Sequence, residues 1–285
     1  MTLLIDRFST LAPRYDVVLS DVWGVIHNGV AAFPPACDAL AQFRKAGGTV
    51  ILITNAPRPH EAVIRQIDRL QVPRDAYDDI VSSGDVTRGV IAQRPGQSVF
   101  HLGPERDHAI FEGFDLRFAD VETADYVVCS GLFNDDTETP DDYRQMLAVM
   151  RQRNLFMVCG NPDVVVERGD DLVYCAGAIA DLYKSMGGEV LYAGKPYKPI
   201  YDLSLAKAEA VRKRPTEKSR VLAIGDSVRT DFTGALRQGL DCLFVTAGIH
   251  AAELGGRDVP DEEAVKTVFM ETGAAPKALT HRLAW

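Results

Sequence analysis

Short continuous apolar runs alternate along the chain with stretches in which apolar residues recur every three or four positions. Val17-Val18-Leu19 within Tyr15–Ser20, and Thr49-Val50-Ile51-Leu52-Ile53, have the length and branched content of strands buried on both faces. Between them Pro34-Pro35 opens a helix that carries Ala36, Leu40 and Phe43 on one face and ends at Gly47-Gly48. Val63, Ile64, Ile67 and Leu70 mark a second helix with Pro73 beyond its end, and Asp79–Ser82 reads as a short strand. Strand, helix, strand, helix at this spacing predicts parallel strands joined by right-handed crossovers.

A second α/β pattern runs from about residue 81. Ser98–Leu102, Ala124–Cys129 and Leu155–Cys159 are predicted strands. Between the last two, Thr139 caps a helix that Pro140 opens, with Asp141 and Asp142 at its positive end. Its apolar stripe is Tyr143, Met146, Leu147 and Met150. A helix containing Ala178–Met186 closes this unit before Gly187-Gly188. Beyond Gly194 the first pattern resumes with a helix over Ile200–Arg214, a strand over Val221–Ile224, a helix over Thr230–Gln238 and a strand over Cys242–Val245. Val265–Trp285 matches neither period. The expected fold is α/β, a doubly wound parallel-sheet core from residues 1–80 and 190–285 with an inserted α/β unit over 81–189.

A chain of 285 residues, 46% of them hydrophobic, can bury a core without disulfides or a structural metal. The net charge of −9 argues against a nucleic-acid partner, although a local Lys or cation can still recruit a small anion. Cys37, Cys129, Cys159, Cys175 and Cys242 form no Cys-x-x-Cys pair and sit mostly in apolar runs, as expected of reduced, buried thiols in a cytoplasmic protein. The start, Met1–Arg7, contains Asp6 and no apolar core of signal-peptide length, and no apolar run approaches the roughly 18 residues of a membrane span. No membrane partner is expected.

Candidate chemistry collects where the predicted strands end. Asp21 follows the first strand, Thr54-Asn55 the second, and Gly225-Asp226 a third, with Asp231 five positions on. Lys195 lies in Gly194-Lys195-Pro196, and Asn161-Pro162-Asp163 follows a strand of the inserted unit. Each has a plain structural role available, as a loop cap, a turn or an acid at a helix N-terminus. In open α/β sheets, however, ligands bind at the carboxyl ends of the strands.

Taken in order, Asp21-Val22-Trp23-Gly24-Val25, Thr54-Asn55, Gly194-Lys195-Pro196 and Gly225-Asp226-Ser227-Val228-Arg229-Thr230-Asp231 resemble the signature of the haloacid dehalogenase (HAD) superfamily. With Asn161-Pro162-Asp163, they are similar to its class IIA, the NagD-like and pyridoxal-phosphate-phosphatase-like proteins, which carry an α/β cap between the second and third motifs. The resemblance implies Mg²⁺-dependent hydrolysis of a small phosphorylated metabolite. Asp21 would be the nucleophile that forms an aspartyl-phosphate. Asp21, Asp226, Asp231 and the Trp23 main-chain carbonyl would hold Mg²⁺. Lys195, Thr54 and Asn55 would bind the phosphoryl oxygens, with Asn161 and Asp163 near the substrate. The oligomeric state is open, a homodimer among the options.

Trp23 stands where phosphatases of this family have a second Asp that protonates the leaving group, and indole cannot do that. Three outcomes follow. His27 substitutes as the acid, the substrate has a good leaving group, or the chain is a catalytically weak phospho-ligand-binding protein. Dehalogenases of the superfamily also lack the second Asp, but they use no metal, which would leave Asp226 and Asp231 without a purpose.

Overall fold

The computed structural model describes residues 3–168, 171–256 and 259–285. In chain order the first strands are β1 (Leu3–Leu4), β2 (Val17–Asp21), β3 (Thr49–Thr54) and β4 (Asp79–Ser82). Next come β5 (Ser98–Leu102), β6 (Arg117–Phe118), β7 (Tyr126–Cys129), β8 (Phe156–Cys159), β9 (Val165–Arg168), β10 (Asp171–Tyr174) and β11 (Glu189–Tyr192). The chain ends with β12 (Val221–Gly225), β13 (Asp241–Val245) and β14 (Ala278–Thr280). It divides into two compact units, one of residues 1–54, 64–81 and 196–285, the other of residues 55–63 and 82–195.

The first unit is built on a seven-stranded sheet of order β1-β14-β13-β12-β2-β3-β4. The pairings of β1 with β14, β14 with β13, β13 with β12, β12 with β2 and β2 with β3 are all parallel. From β2 the chain builds outward to β3 and β4 on one side, and later to β12, β13 and β14 on the other. The strand order therefore reverses at β2, the kind of position where open α/β sheets bind ligands.

Val17, Val18, Leu19, Val50, Ile51, Leu52, Val221, Leu222 and Ile224 are buried, so these central strands are covered on both faces and need apolar residues at consecutive positions. The helix Pro34–Lys45 buries Ala36, Cys37, Ala39, Leu40, Ala41 and Phe43. A fully buried Leu or Phe stabilises by about 1.5–3 kcal/mol relative to exposure, so this face alone holds the helix in place.

The second unit contains a five-stranded parallel sheet, β11-β8-β7-β5-β6, and the antiparallel pair β9–β10. Its helix Ser83–Ala92 was hidden in the pattern because Gly84, Asp85 and Gly89 dilute the apolar stripe. Ser82 marks its start structurally, accepting a hydrogen bond from the Asp85 N–H while the Asp85 carboxylate accepts one from the Ser82 N–H.

Most expected elements occur within a residue or two of their predicted limits. Residues 230–238, predicted as one α-helix, open instead with a wide π-type turn over Val228–Phe232, in which the Phe232 N–H reaches back to the Ser227 carbonyl at 3.0 Å; α-helix follows over Thr233–Gln238. The ambiguous tail holds a helix over Glu262–Phe269, capped by Asp261, and then β14. All five cysteines are buried free thiols. Burial pushes Cys37 up to about 11 and Cys129 up to about 12, so neither is a ready nucleophile. No helix among the described residues is long and apolar enough to cross a membrane.

One ion-pair knot ties Asp16, just before β2, to the end of the helix Lys198–Arg212 and to the residue before β12. The Asp16 carboxylate accepts from Arg220 at 2.7 Å and from the nearly buried Arg212 at 2.9 Å. These guanidinium bonds, Arg220's first, hold the Asp16 carboxyl below its usual range. The associated stability is present above the unfolded carboxyl's pKa of about 4 and is lost as pH falls through the folded value. Asp16→Asn should lower the unfolding free energy at pH 7 by about 1–2 kcal/mol, a range that discounts the exposed Arg220 arm. In urea titrations the gap from wild type should close as pH falls through the acid range, and a pH-independent gap would contradict this origin.

Candidate active site

Strand register sets the positions of the acids. Asp21, the last residue of β2, lies opposite Ile53 of β3, so Thr54 is one step beyond it. Ser20 lies opposite Ile224 of β12, so Gly225 is level with Asp21 and Asp226 follows. The π-type turn then brings Asp231 back, and its Oδ2 accepts the Ser227 N–H at 3.2 Å. An ordinary first turn of α-helix would have carried that side chain further round the axis.

Asp21, Asp226 and Asp231 are consequently clustered, each offering a carboxylate oxygen within 4.8 Å of the others. Their exposures are 8%, 5% and 3%. Three such groups repel strongly away from water, and a divalent cation is the ordinary compensation. An all-oxygen donor set suits a hard ion such as Mg²⁺.

At three glycines the backbone comes very close to these acids. A Cβ on Gly24 would lie 2.1 Å from Asp226 Oδ2, on Gly248 2.0 Å from the same oxygen, and on Gly225 2.1 Å from Asp231 Cγ. Gly24 also has φ +79°, the left-handed region that favours glycine. The Ile249 N–H donates to Asp226 Oδ2 at 2.9 Å, and His250 Nε2 accepts from the Val228 N–H at 3.2 Å. The loop after β13 thus braces the loop after β12. Sequence reasoning missed this brace, although a glycine placed soon after a predicted strand, as Gly248 is, was an available signal.

The segment after Asp21 is a hydrogen-bonded flap. Gly24 N–H donates to the His27 carbonyl at 2.8 Å, and Phe33 N–H to the Ile26 carbonyl at 2.7 Å. His27 is 1% exposed, and its Nδ1 accepts from the Gly29 N–H at 2.9 Å. Burial lowers its pKa to about 4, so at neutral pH it is an uncharged imidazole carrying its proton on Nε2. That state argues against His27 as the substitute acid. Its ring packs edge-on against Trp23, with centroids 5.2 Å apart.

The remaining predicted residues assemble in the second unit. Asn55 Nδ2 donates to Asp163 Oδ1 at 2.9 Å and to the Lys195 carbonyl at 3.1 Å, while its Oδ1 accepts the Lys195 N–H at 2.7 Å. Asn161 Oδ1 accepts the Asp163 N–H at 3.1 Å, closing the Asn-Pro-Asp turn. Gly194 allows the close approach, since a Cβ there would lie 2.3 Å from Asn55 Oδ1. One amide side chain thereby joins residues that are 140 positions apart in the chain. A second acidic group, His60, Glu61 and Asp85, has a local explanation: Asp85 accepts from the Ser82 and His60 N–H groups and pairs with the His60 ring.

Residues 18–117 match the model of haloacid dehalogenase-like hydrolases, and residues 192–277 match the HAD-hydrolase-like model. A solved hydrolase of the haloacid dehalogenase-like family from Brucella suis is 46% identical, covers 98% of this chain and 100% of its own, and superposes with a TM-score of 0.86. The 5'-nucleotidase YutF of Bacillus subtilis is 24% identical over 84% of this chain and 90% of its own length. A 4-nitrophenylphosphatase from Thermotoga maritima, 20% identical over 95% of this chain and 96% of its own, shares the fold with a TM-score of 0.71.

A cation that belongs between these acids should stabilise the protein by about 2.7 kcal/mol at 100 times its dissociation constant. Thermal melts with and without Mg²⁺ should show that gain for wild type and little of it for Asp226→Asn. Gly24→Ala, which drives a methyl group into the Asp226 carboxylate, should lose it as well. A wild-type melting temperature indifferent to Mg²⁺ would contradict the metal reading.

Proposed function

The chain belongs to the haloacid dehalogenase-like hydrolases, and from that premise we propose that it is a Mg²⁺-dependent phosphatase of a small phosphorylated metabolite, working through an aspartyl-phosphate on Asp21. The observation that carries this reading is the buried Asp21, Asp226 and Asp231 cluster at the strand-order reversal. Relatives named as a 5'-nucleotidase and as ribonucleotide monophosphatase NagD support phosphate-ester substrates.

Asp21, Asp226, Asp231 and the main-chain carbonyl of Trp23 are the groups that would hold Mg²⁺. When bound, the cation offsets the repulsion between an attacking carboxylate and an anionic phosphoryl group. An Asp21 oxygen attacks phosphorus, and the bond to the ester oxygen breaks, its electron pair leaving with the alcohol. Water then attacks phosphorus, the Asp21–phosphorus bond breaks, and inorganic phosphate departs with the carboxylate restored. The Thr54 hydroxyl, the Asn55 amide and the Lys195 ammonium bind the phosphoryl oxygens in this scheme. Asn161 and Asp163 belong to the part of the inserted unit, residues 81–189, that chooses the substrate. Cytoplasmic placement, with no membrane or nucleic-acid partner, completes the proposal.

A second reading, a phospho-ligand-binding protein of little turnover, draws on Trp23 and on the neutral His27. The two readings separate in an assay of phenyl phosphate hydrolysis with Mg²⁺. The phosphatase reading expects Asp21→Asn to lose roughly 10³-fold or more in kcat and Lys195→Met about 10²–10³-fold. Turnover that survives Asp21→Asn would overturn it. Absence of turnover in the wild type, with retained phosphate binding, would favour the second reading.

A further inference from the structure

Trp23 is anchored yet exposed. Its ring lies over Gly29, where a Cβ would come within 2.2 Å of Cη2, and it meets the His27 ring at 77°. The loop beneath is pinned by its own bonds: Asn28 Oδ1 accepts the N–H groups of Val30 and Ala31 at 3.0 and 2.9 Å. Even so, Trp23 is 44% exposed. An indole held rigidly on one side and hydrated elsewhere has already lost its rotamer freedom, so a planar partner can stack on it at low entropic cost.

Its position says what that partner would be. Trp23 is two residues from Asp21 and adjacent to Gly24, which lies against the Asp226 carboxylate. Between Asp21 and Pro34 the one titratable side chain is His27, which is buried with Nδ1 already accepting a hydrogen bond. Burial keeps that ring away from a departing oxygen, so no side chain of the flap is placed to protonate one. General acid assistance is worth about 10²–10⁴ in rate, and a sugar or alkyl alcohol needs it. A phenol, with a pKa near 10 as in tyrosine, leaves as an anion far more readily. Such leaving groups are flat and conjugated, the shape an indole face accepts.

Resting on the phosphatase reading above, we propose that Trp23 is the platform for a planar, conjugated leaving group. The preferred substrates are then aryl or hydroxylated heteroaromatic phosphates rather than alkyl or sugar phosphates. In the reaction the phosphorus–oxygen bond breaks, both electrons leave with the aryl oxygen, and solvent protonates it after release.

The test compares wild type, Trp23→Phe and Trp23→Leu on a graded set of aryl and alkyl phosphates with Mg²⁺. Phenylphosphonate and methylphosphonate serve as unhydrolysed ligands. Wild type should favour aryl over alkyl esters by at least about 10²-fold in kcat/KM. Trp23→Leu should raise KM for aryl esters roughly 3- to 10-fold more than for alkyl esters, with Trp23→Phe restoring most of that difference. Phenylphosphonate, unlike methylphosphonate, should perturb the Trp23 fluorescence, a signal that Trp23→Phe removes. Equal KM changes for both ester classes, or phenylphosphonate binding wild type and Trp23→Leu equally, would overturn the platform. If no ester shows Asp21-dependent turnover, the phosphatase reading fails, and the phosphonate comparison still decides whether Trp23 stacks a ring.

Discussion

Mutual repulsion among three buried carboxylates is the constraint around which the first unit is arranged. Asp21, Asp226 and Asp231 are drawn from two strand ends and one wide turn, and each is largely withdrawn from water. Glycines 24, 225 and 248 press the backbone so closely that a single methyl group would collide with an acid. Stability alone would not select such a site, because replacing any one acid by a neutral isostere would relieve the repulsion. The all-oxygen cluster fits a hard divalent cation, which would offset that repulsion further.

The sheet makes this arrangement reachable. Parallel strands place their carboxyl ends on one edge, and the reversal of order at β2 leaves the crevice where the loops after β2 and β12 separate. The loop after β13 then fixes Asp226 through the Ile249 N–H. On the other flank, the flap of residues 22–33 holds Trp23 out and His27 in. The same rigid loop thus positions an aromatic surface and keeps the nearby imidazole neutral.

Much of this was legible in the sequence, for reasons particular to each element. Buried parallel strands need unbroken apolar runs, so β2, β3 and β12 announced themselves, and their polar terminators named Asp21, Thr54 and Asp226. Other features leave weak traces. The strand β14 spans only Ala278–Thr280, too short for any period, and is held by its pairing with β1 and β13. The π-type turn at Val228–Phe232 looks like α-helix in pattern, because the two differ by one residue in hydrogen-bond reach rather than in composition. The knot of Asn55, Asp163 and Lys195 was foreseen as a set of candidates, but its hydrogen bonds depend on tertiary closure that no local spacing encodes.

In the proposed reaction Asp21 takes the phosphoryl group covalently. Mixing the protein with a ³²P-labelled aryl phosphate and Mg²⁺, quenching in acid within one turnover and mapping the labelled peptide tests it directly. A hydroxylamine-labile label should appear on the peptide containing Asp21 and be absent from Asp21→Asn. Turnover of the ester with no label on that peptide, or a label that persists in Asp21→Asn, would contradict it.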